Sequence, residues 1–522
     1  MKLNYKRTIF VGFAFFLISL FWQAYDATIA LTLTNKFGMN QFWSGVIMAL
    51  DNILALFLLP LFGTLSDKHN GKSGRRTPFI RFGTAIAAVA LVALSFVDNM
   101  QLDLIKDIST VDDPAALSII YDTQCQKQLK TPNGTEFTLA EQFPNKEDFT
   151  AIRSTDDDTD VTVNDESKTP FTSYVVPARQ AYAADQTAAN PAPLVIFVIV
   201  LLVLLVAMGI FRSPAVALMP DVTIKPLRSK ANAVINLMGN AGGIIVLLLG
   251  MGFAFGISKA SNAMMSYTPY YLVIAGTMVA ALIIFTVTVR EKEWAAQMQS
   301  DSIRYGIEEE NNTSSDAQKK LTKGELFSLI CILLSVALWY FGYNAVTSKY
   351  SVYAPNVLQM DYSNTMLIAQ AFAIVSYLPA GMIASKVGRK KTILAGVIML
   401  AMAFGAASFM RPGSPAWLMY ILFALAGIAW ATINVNSFPM VVEMSSGSDV
   451  GKYTGFYYTA SMAAQTITPM FSGLLMDKMG MTVLFPYATV AVALAFVTMM
   501  LVKHGDAKIV AKKGLEALDV ED

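Results

Sequence analysis

Gly63-Thr64-Leu65-Ser66-Asp67, followed by Gly74-Arg75-Arg76, stands at the end of an apolar run long enough to cross a bilayer. About 318 positions later, Gly381-Met382-Ile383-Ala384-Ser385 and Gly388-Arg389-Lys390-Lys391 follow a second such run. A tight polar turn that returns at half-chain spacing between spanning segments predicts two similar halves meeting at a central pathway. Glycine lets helices approach closely, and the Asp67 carboxylate is expected to pair with the basic turn or with a facing helix end. Gly63, Asp67, Gly74, Arg75 and Arg76, with Gly381, Gly388, Arg389 and Lys390 in the second half, therefore read as a gate at one membrane face. The alternative is that Arg75 and Arg76 serve only as topology signals.

Composition agrees with a membrane chain. Hydrophobic residues make up 54% of the 522, charged residues only 15%, and mean hydropathy is +0.48, too little polar surface for a soluble protein of this length. The net charge of +1 is uninformative because the charges are sorted by side. Cys125 and Cys331 supply neither a disulfide framework nor a metal cluster, and His69 and His504 fall at segment ends, which excludes a histidine proton relay. No phosphate-binding loop or enzyme constellation is present, so neither catalysis nor ATP-driven transport by this chain is supported, and no cofactor or metal is expected. The basic residues follow membrane topology, which leaves nothing for nucleic acid.

Counting apolar stretches predicts an all-α membrane protein of twelve helices, near 8–34, 42–65, 79–97, 194–219, 231–256, 269–289, 324–346, 363–384, 392–409, 415–441, 453–476 and 482–502. The first is read as a span and not a cleaved signal. Lys2, Lys6, Arg7, Lys68, Lys72, Arg75, Arg76, Lys225, Arg228, Lys230, Arg290, Lys292, Lys386, Arg389, Lys390 and Lys391 share one set of connections, against Lys36, Lys259, Lys349 and Arg411 on the other. The bias predicts both termini in the cytoplasm and a multi-pass protein of the plasma or inner membrane.

The chain accordingly divides into 1–97 (helices 1–3), an external insertion 98–193, 194–289 (helices 4–6), a cytoplasmic linker 290–323, 324–502 (helices 7–12) and a tail 503–522. The insertion carries 17 Asp/Glu against 7 Lys/Arg, including Asp156-Asp157-Asp158, and is poor in periodic apolar pattern. It reads first as a loosely ordered loop, with a folded cap that shapes solute access as the alternative. Glu308-Glu309-Glu310-Asn311-Asn312 lies in the linker.

The two gate copies resemble the cytoplasmic signature of the major facilitator superfamily, whose members have two pseudo-symmetric six-helix bundles and work by alternating access. The first copy carries an insertion ahead of Gly74, and the second has Ser385 in the acidic position, which weakens the gate inferred for that half. A finer resemblance links Leu59 through Asp67, continued by Gly74-Arg75-Arg76-Thr77-Pro78-Phe79-Ile80, and Ser213-Pro214-Ala215-Val216-Ala217-Leu218-Met219-Pro220-Asp221 with Lys230-Ala231-Asn232, to the sucrose carriers of plants and animals. These are related to the glycoside-pentoside-hexuronide:cation symporters, which include melibiose permease. The resemblance implies symport of a sugar or glycoside with a cation, usually a proton. Where the plant carriers have an arginine this chain has Val216; the charge stands at Arg212, where melibiose permease and the animal relatives carry an aspartate. A guanidinium in that place argues against a sodium site, which needs clustered oxygens, so H+ is the expected coupling ion.

Ionisable side chains inside spans are functional candidates, and Asp26 and Asp51 qualify. At about 1.5 Å per residue they lie roughly 12 and 14 Å below the external ends of their helices, so they can share a level. The animal sucrose-type carriers also show an acidic residue about twelve positions before the glycine after helix 1, matching Asp26 to Gly38, which ranks Asp26 first. Asp51 beside Asn52 has a bland alternative as a packing group bonded to a neighbour. Arg212 either snorkels toward the cytoplasmic surface or faces the pathway, where it binds hydroxyls or holds Asp26 ionised.

Sugar recognition combines aromatic faces with fixed polar groups, which nominates Trp22, Tyr25, Arg212, Asn236 and Asn240 in the first half and Tyr340, Tyr343, Asn344, Trp430, Asn434, Tyr458 and Gln465 in the second. Each aromatic has the alternative of plain packing. Gly239 and Gly243 form a GxxxG contact, and Pro214, Pro439 and Pro469 loosen helices 4, 10 and 11. The chain is expected to act as a monomer carrying a sugar or glycoside. A proton-driven exporter of amphipathic compounds and a transport-inactive nutrient sensor are the competing readings, the latter opposed by a tail of about 20 residues with no room for a signalling domain.

Overall fold

The computed structural model describes residues 3–110, 113–154, 170–224, 227–253, 264–304, 322–442, 444 and 450–504. Lys225, Lys259, the run Asp156-Asp157-Asp158, the segment Glu308 to Asn312 and the tail from 505 onward lie outside the described residues, as do the side chains of Lys230 and Ser385. Apolar runs become helices, and polar residues at their starts satisfy backbone N–H groups that have no partner within the helix. Asn40 accepts from Trp43 N at 2.9 Å, Asp361 from Ser363 N at 2.7 Å, and Thr322 and Glu325 form a reciprocal capping box.

The helices are α1 (Tyr5–Leu31), α2 (Gln41–Lys68), α3 (Thr77–Leu104), α4 (Pro114–Gln124), α5 (Leu139–Gln142), α6 (Lys146–Thr150), α7 (Val176–Ala189), α8 (Ala192–Val222), α9 (Arg228–Gly252), α10 (Thr268–Thr288), α11 (Glu291–Arg304), α12 (Lys323–Tyr353), α13 (Tyr362–Val387), α14 (Arg389–Ala407), α15 (Ala416–Val442), α16 (Val450–Met479) and α17 (Leu484–Met500). Among the described residues, ten helical segments are long and apolar enough to span a bilayer. With α13, of 26 residues, and α16, of 30, the set is twelve.

The twelve divide into two bundles, each with its own apolar core, α1, α2, α3, α8, α9 and α10 in the first and α12 to α17 in the second. Packing partners repeat between them. In the first bundle α1 packs on α9 and α10, α2 on α8, and α3 on α8 and α10; in the second α12 packs on α16 and α17, α13 on α15, and α14 on α15 and α17. Replacing each helix of one bundle by its counterpart in chain order reproduces the other, which is a pseudo-two-fold relation. The bundles meet through α2 on α16, α9 on α13, and α1 on α12.

The two membrane faces are named here by what they carry: the basic face, with the Arg75-Arg76 turn, and the cap face, with the insertion. The hydrogen bonds that join the bundles gather toward the cap face. Gln23 Nε2 donates to Tyr362 Oη at 3.0 Å and Gln370 Nε2 donates to Gln23 Oε1. Lys349 Nζ donates to Gln41 O at 2.8 Å, while Asp477 accepts from Gln41 N at 2.9 Å and Phe42 N at 2.8 Å. A β-carbon added at Gly45 would stand 2.1 Å from Pro469 O, and one at Gly473 would stand 2.1 Å from Gln41 O, so backbone touches backbone. The protein is sealed on its cap face.

Three expectations change. The insertion, read first as a loosely ordered loop, contains a core of Ile105, Ile108, Leu117, Ile120, Phe143, Phe149, Tyr174 and Val175 around α4 to α7 and the two-stranded hairpin β1 (Leu129–Lys130) and β2 (Glu136–Phe137). Its apolar residues are dispersed, so the core exists only after long-range closure. The linker begins as α11, which docks on the first bundle, Arg7 lying 4.8 Å over the Trp294 ring and donating to Gln297 at 2.6 Å. Lys36 and Lys349, counted as loop charges, are fully buried. Lys36 pairs with Asp98 at 2.6 Å, donates to Met265 O at 2.7 Å and lies 3.6 Å over the Tyr267 ring. Asp98 belongs to α3 and not to the insertion.

The glycine contact between α2 and α16 leads to a first prediction. Gly45→Leu should destabilise the cap-closed protein by about 1–3 kcal/mol, because rigid backbone on the facing helix cannot yield. A thermal melt in detergent reads the loss, and an unchanged midpoint would contradict the close crossing.

Candidate functional site

Midway between the bundles, polar side chains from both halves converge. α1 contributes Trp22 and Asp26, α2 contributes Asp51, and α8 contributes Arg212. Asp26 and Asp51 lie within electrostatic reach of each other, as the depth estimate from the sequence requires. Asp51 accepts from Asn52 Nδ2 at 2.8 Å and also feels Arg212, so it is both locally bonded and part of the charged cluster. The Arg212 guanidinium sits 5.4 Å over the Trp22 ring and within reach of Tyr458 on the opposite bundle. It therefore faces the interior, which removes the snorkelling alternative. Its carboxylate neighbour is Asp51; direct pairing with Asp26 is not what the structure gives.

The second bundle answers with aromatics. Tyr343 and Trp430 stack with ring centres 3.7 Å apart and planes at 6°, and Tyr340 meets Trp430 edge-on at 5.1 Å. Tyr377 lies close to Asn434. Tyr343 and Tyr362 both lie within electrostatic reach of Asp26. Trp22 Nε1 and Asn344 Nδ2 are buried donors without a protein partner, which leaves hydrogen-bonding capacity for a ligand with hydroxyl oxygens. Asn240 is half-buried on α9, and Gln465 is half-buried on α16 and donates to Ser461 O at 3.3 Å.

Tyr25, buried on α1, meets the Trp22 ring edge-on at 5.5 Å, lies within electrostatic reach of both Asp26 and Asp51, and donates its hydroxyl to Met48 O at 3.4 Å, so it belongs to the cluster. One nominated residue lies apart from it. Asn236 is exposed and donates to Asn232 at 3.1 Å, toward the basic face. Gly239 packs on Ser19 of α1 and Gly243 on Gln370 of α13, so the GxxxG pair serves two different neighbours. The seal formed by Gln23, Tyr362 and Gln370 was not anticipated; neutral amides and tyrosines carry no charge signal that marks them within an apolar run.

At the basic face, Arg76 is the hub. Its Nε donates to Asp221 at 2.8 Å, one Nη to Ser66, and the other to Asp67. Arg75 reaches Asp221 at 3.9 Å. Asp221 closes the Ser213–Asp221 stretch, so two sequence segments quoted together above meet in space. A β-carbon at Gly63 would stand 2.9 Å from Ser213 Oγ. Glu291, unremarked in the sequence, accepts from Arg75 N at 2.6 Å, Arg76 N at 2.8 Å and Thr77 N at 2.7 Å, and so caps α3 with a full negative charge. All these partners lie in the first bundle or on α11, and Asp67 pairs with the basic turn, one of the two pairings expected of it. The turn fastens α2, α3, α8 and α11 together and does not by itself bridge the halves. In the second bundle Lys390 Nζ donates to Met500 O at 3.0 Å and Val502 O, fixing the end of α17; Arg389 is buried at the start of α14, and Gly381 is buried in α13. Gly74 and Gly388 both have positive φ, 115° and 99°.

Two pseudo-symmetric helical bundles around a polar centre define a multi-pass membrane transporter. Residues 181–378 and 361–519 match the Major Facilitator Superfamily, and the chain belongs to that family. The "MFS-type transporter ppzB" of Metarhizium rileyi is 26% identical over 141 residues, 27% of this chain and 29% of that protein, so the likeness spans under a third of the relative's length. Among solved structures, the inward open xylose transporter XylE from E. coli is 16% identical over 98% of both chains with a TM-score of 0.55. A D-xylose-proton symporter is 14% identical over 95% and 97% with 0.55, and a peptide transporter POT is 10% identical over 95% and 93% with 0.58. At such identities the structural likeness speaks to the fold.

The carboxylate cap on α3 generates the second prediction. Glu291→Ala strips three backbone N–H groups of their acceptor and should cost about 2–3 kcal/mol, with Glu291→Gln intermediate. Equal thermal midpoints for all three proteins would contradict the assignment.

Proposed function

We propose that the chain is a proton-coupled symporter that imports a sugar or glycoside by alternating access, with the basic face in the cytoplasm. The observation that carries this reading is the pair Asp26 and Asp51, two carboxylates set within reach of each other inside the bilayer and facing the aromatic wall of Tyr343 and Trp430. Two like charges in a poorly solvated site repel, so one proton is shared between them until Arg212 or a ligand changes the balance. A guanidinium facing Asp51 supplies a fixed positive charge where a sodium ion would otherwise sit, which favours a proton as the coupling ion. The resemblance to the sucrose carriers and to the glycoside-pentoside-hexuronide:cation symporters supports the substrate class.

In this reading a proton taken up from the cap side at Asp26 removes a charge from the pathway. A sugar then lies between Trp22 and Arg212 on one side and Tyr340, Tyr343, Trp430 and Asn434 on the other, with Asn344, Asn240, Tyr458 and Gln465 further along the walls. Aromatic faces stack on the C–H side of a pyranose while amides and the guanidinium bond its hydroxyls. Both ligands favour closure of the cap face, and the population shifts by their differential affinity for the two states. Asp26 releases its proton to the cytoplasm as the sugar leaves.

The test is Asp26→Asn in proteoliposomes. Accumulation under an imposed proton gradient should fall roughly tenfold or more, while exchange of labelled for unlabelled sugar persists, because exchange needs no net proton release. Full accumulation by the variant would refute the role of Asp26. Counterflow with a sugar panel, run beside efflux assays with amphipathic cations, separates the importer from an exporter.

A further inference from the structure

The insertion touches both bundles, and it does so by different means. On the first bundle α7 lies against the end of α1: Gln180 Nε2 donates to Asn35 Oδ1 at 2.8 Å, Gln101 Nε2 to Thr187 Oγ1 at 3.0 Å, and a β-carbon at Gly38 would stand 2.3 Å from Ala184 N. Lys36 and Asp98, buried beneath, pin the same corner of the bundle. On the second bundle the insertion makes contact where Gln359 Nε2 donates to Thr172 Oγ1 at 3.5 Å and, more closely, at the tip of the β1–β2 hairpin. Met481 N donates to Pro132 O at 2.6 Å. Gly134 and Gly480, with φ of 93° and 89°, face each other so closely that a β-carbon at Gly480 would stand 2.5 Å from Asn133 C, and one at Gly134 would stand 2.9 Å from Met479 O. Only glycine permits that approach at both positions.

The segment that receives the hairpin is also the segment that grips the first bundle directly. Asp477, three residues before Gly480, accepts from the first two backbone N–H groups of α2, and Lys349 fixes the Gln41 carbonyl beside them. One short stretch, Asp477 to Met481, thus holds α2 with one end and the insertion with the other. Opening the cap face must carry α16 away from α2, and the hairpin cannot stay with both bundles as they part.

We propose that the insertion is a strap: anchored on the first bundle through α7, it latches onto the α16–α17 turn through Pro132 to Gly134 when the cap face is shut, and it lets go for that face to open. The inference rests on the alternating-access reading and adds a second control on the cap-closed state, separate from the carboxylates. The strap grips backbone atoms and not a ligand, so it sets the equilibrium between faces for any substrate.

The test uses the full chain with Cys125 and Cys331 replaced by serine and Tyr343→Cys as a reporter beneath the seal. It measures labelling by a membrane-impermeant maleimide in sealed vesicles with the cap face outward. Met481→Pro removes the donor at the first position of a helical turn, where proline is tolerated. Labelling should then quicken about fivefold over Met481→Ala, which keeps the N–H, the shift that loss of one net hydrogen bond gives a two-state equilibrium. Gly480→Ala should act in the same direction by blocking the hairpin's approach. Equal rates in Met481→Pro, Gly480→Ala and Met481→Ala overturn the strap while leaving alternating access intact. No labelling in any of them overturns both.

Discussion

Backbone meets backbone where α2 crosses α16, and the rest of the arrangement depends on that contact. Gly45 and Gly473 remove the side chains that would hold the helices apart, and each lies against a carbonyl of the facing helix. Asp477 then completes the junction by accepting from the N–H groups at the start of α2, which no residue of α2 can satisfy. In a bilayer, helix association draws little from apolar burial, so small residues and satisfied polar groups must supply the specificity. Here they supply it at one end of the molecule. The halves are fastened near the cap face, and the bridge of Gln23, Tyr362 and Gln370 joins them at the level of the polar centre, Gln23 lying between Trp22 and Asp26 on α1.

That geometry gives the charged residues distinct tasks. Lys36 with Asp98 is a buried pair whose groups also meet a carbonyl and an aromatic face, and it joins α1, α3 and the start of α10. Such a pair is costly to split and serves as a fixed corner. Arg76 with Asp67, Asp221 and Ser66 fixes the opposite end of the same bundle. Asp26, Asp51 and Arg212 differ from both. No side chain closes an ion pair with Asp26 among the described residues, Asp51 has only Asn52 as a hydrogen-bonded neighbour, and Arg212 sits over an aromatic ring. Rigid ends and an incompletely paired middle are what a rocking bundle with a titrating centre requires.

Much of this was legible in the sequence, for physical reasons. Twelve runs of about 20 apolar residues leave little choice of fold once both halves carry the same polar turn. The charges at Asp26, Asp51 and Arg212 stood out because the surrounding residues are apolar, and the structure brings all three together. Contacts made by uncharged or ordinary residues did not stand out. Gln23 and Gln370 are amides of which a helix tolerates many, and Glu291 lies among basic residues that read as a topology signal. Lys36 and Lys349 also carry the positive charge of a loop residue, and only the tertiary fold reveals the carboxylate and carbonyl that receive them. The insertion hid its core for a related reason: Ile105 and Phe149 lie far apart in sequence, with no helical or strand period to announce that they belong together.

The central claim is that sugar and proton move together through this polar centre. Purified carrier in proteoliposomes loaded with a pH-sensitive dye tests it most directly, with no imposed gradient and a panel of mono- and disaccharides added outside. The account predicts that a transported sugar acidifies the lumen as it enters, in sodium-free buffer, and that non-substrates leave the dye unchanged. Sugar influx with no accompanying proton, or influx that appears only with sodium, would contradict it.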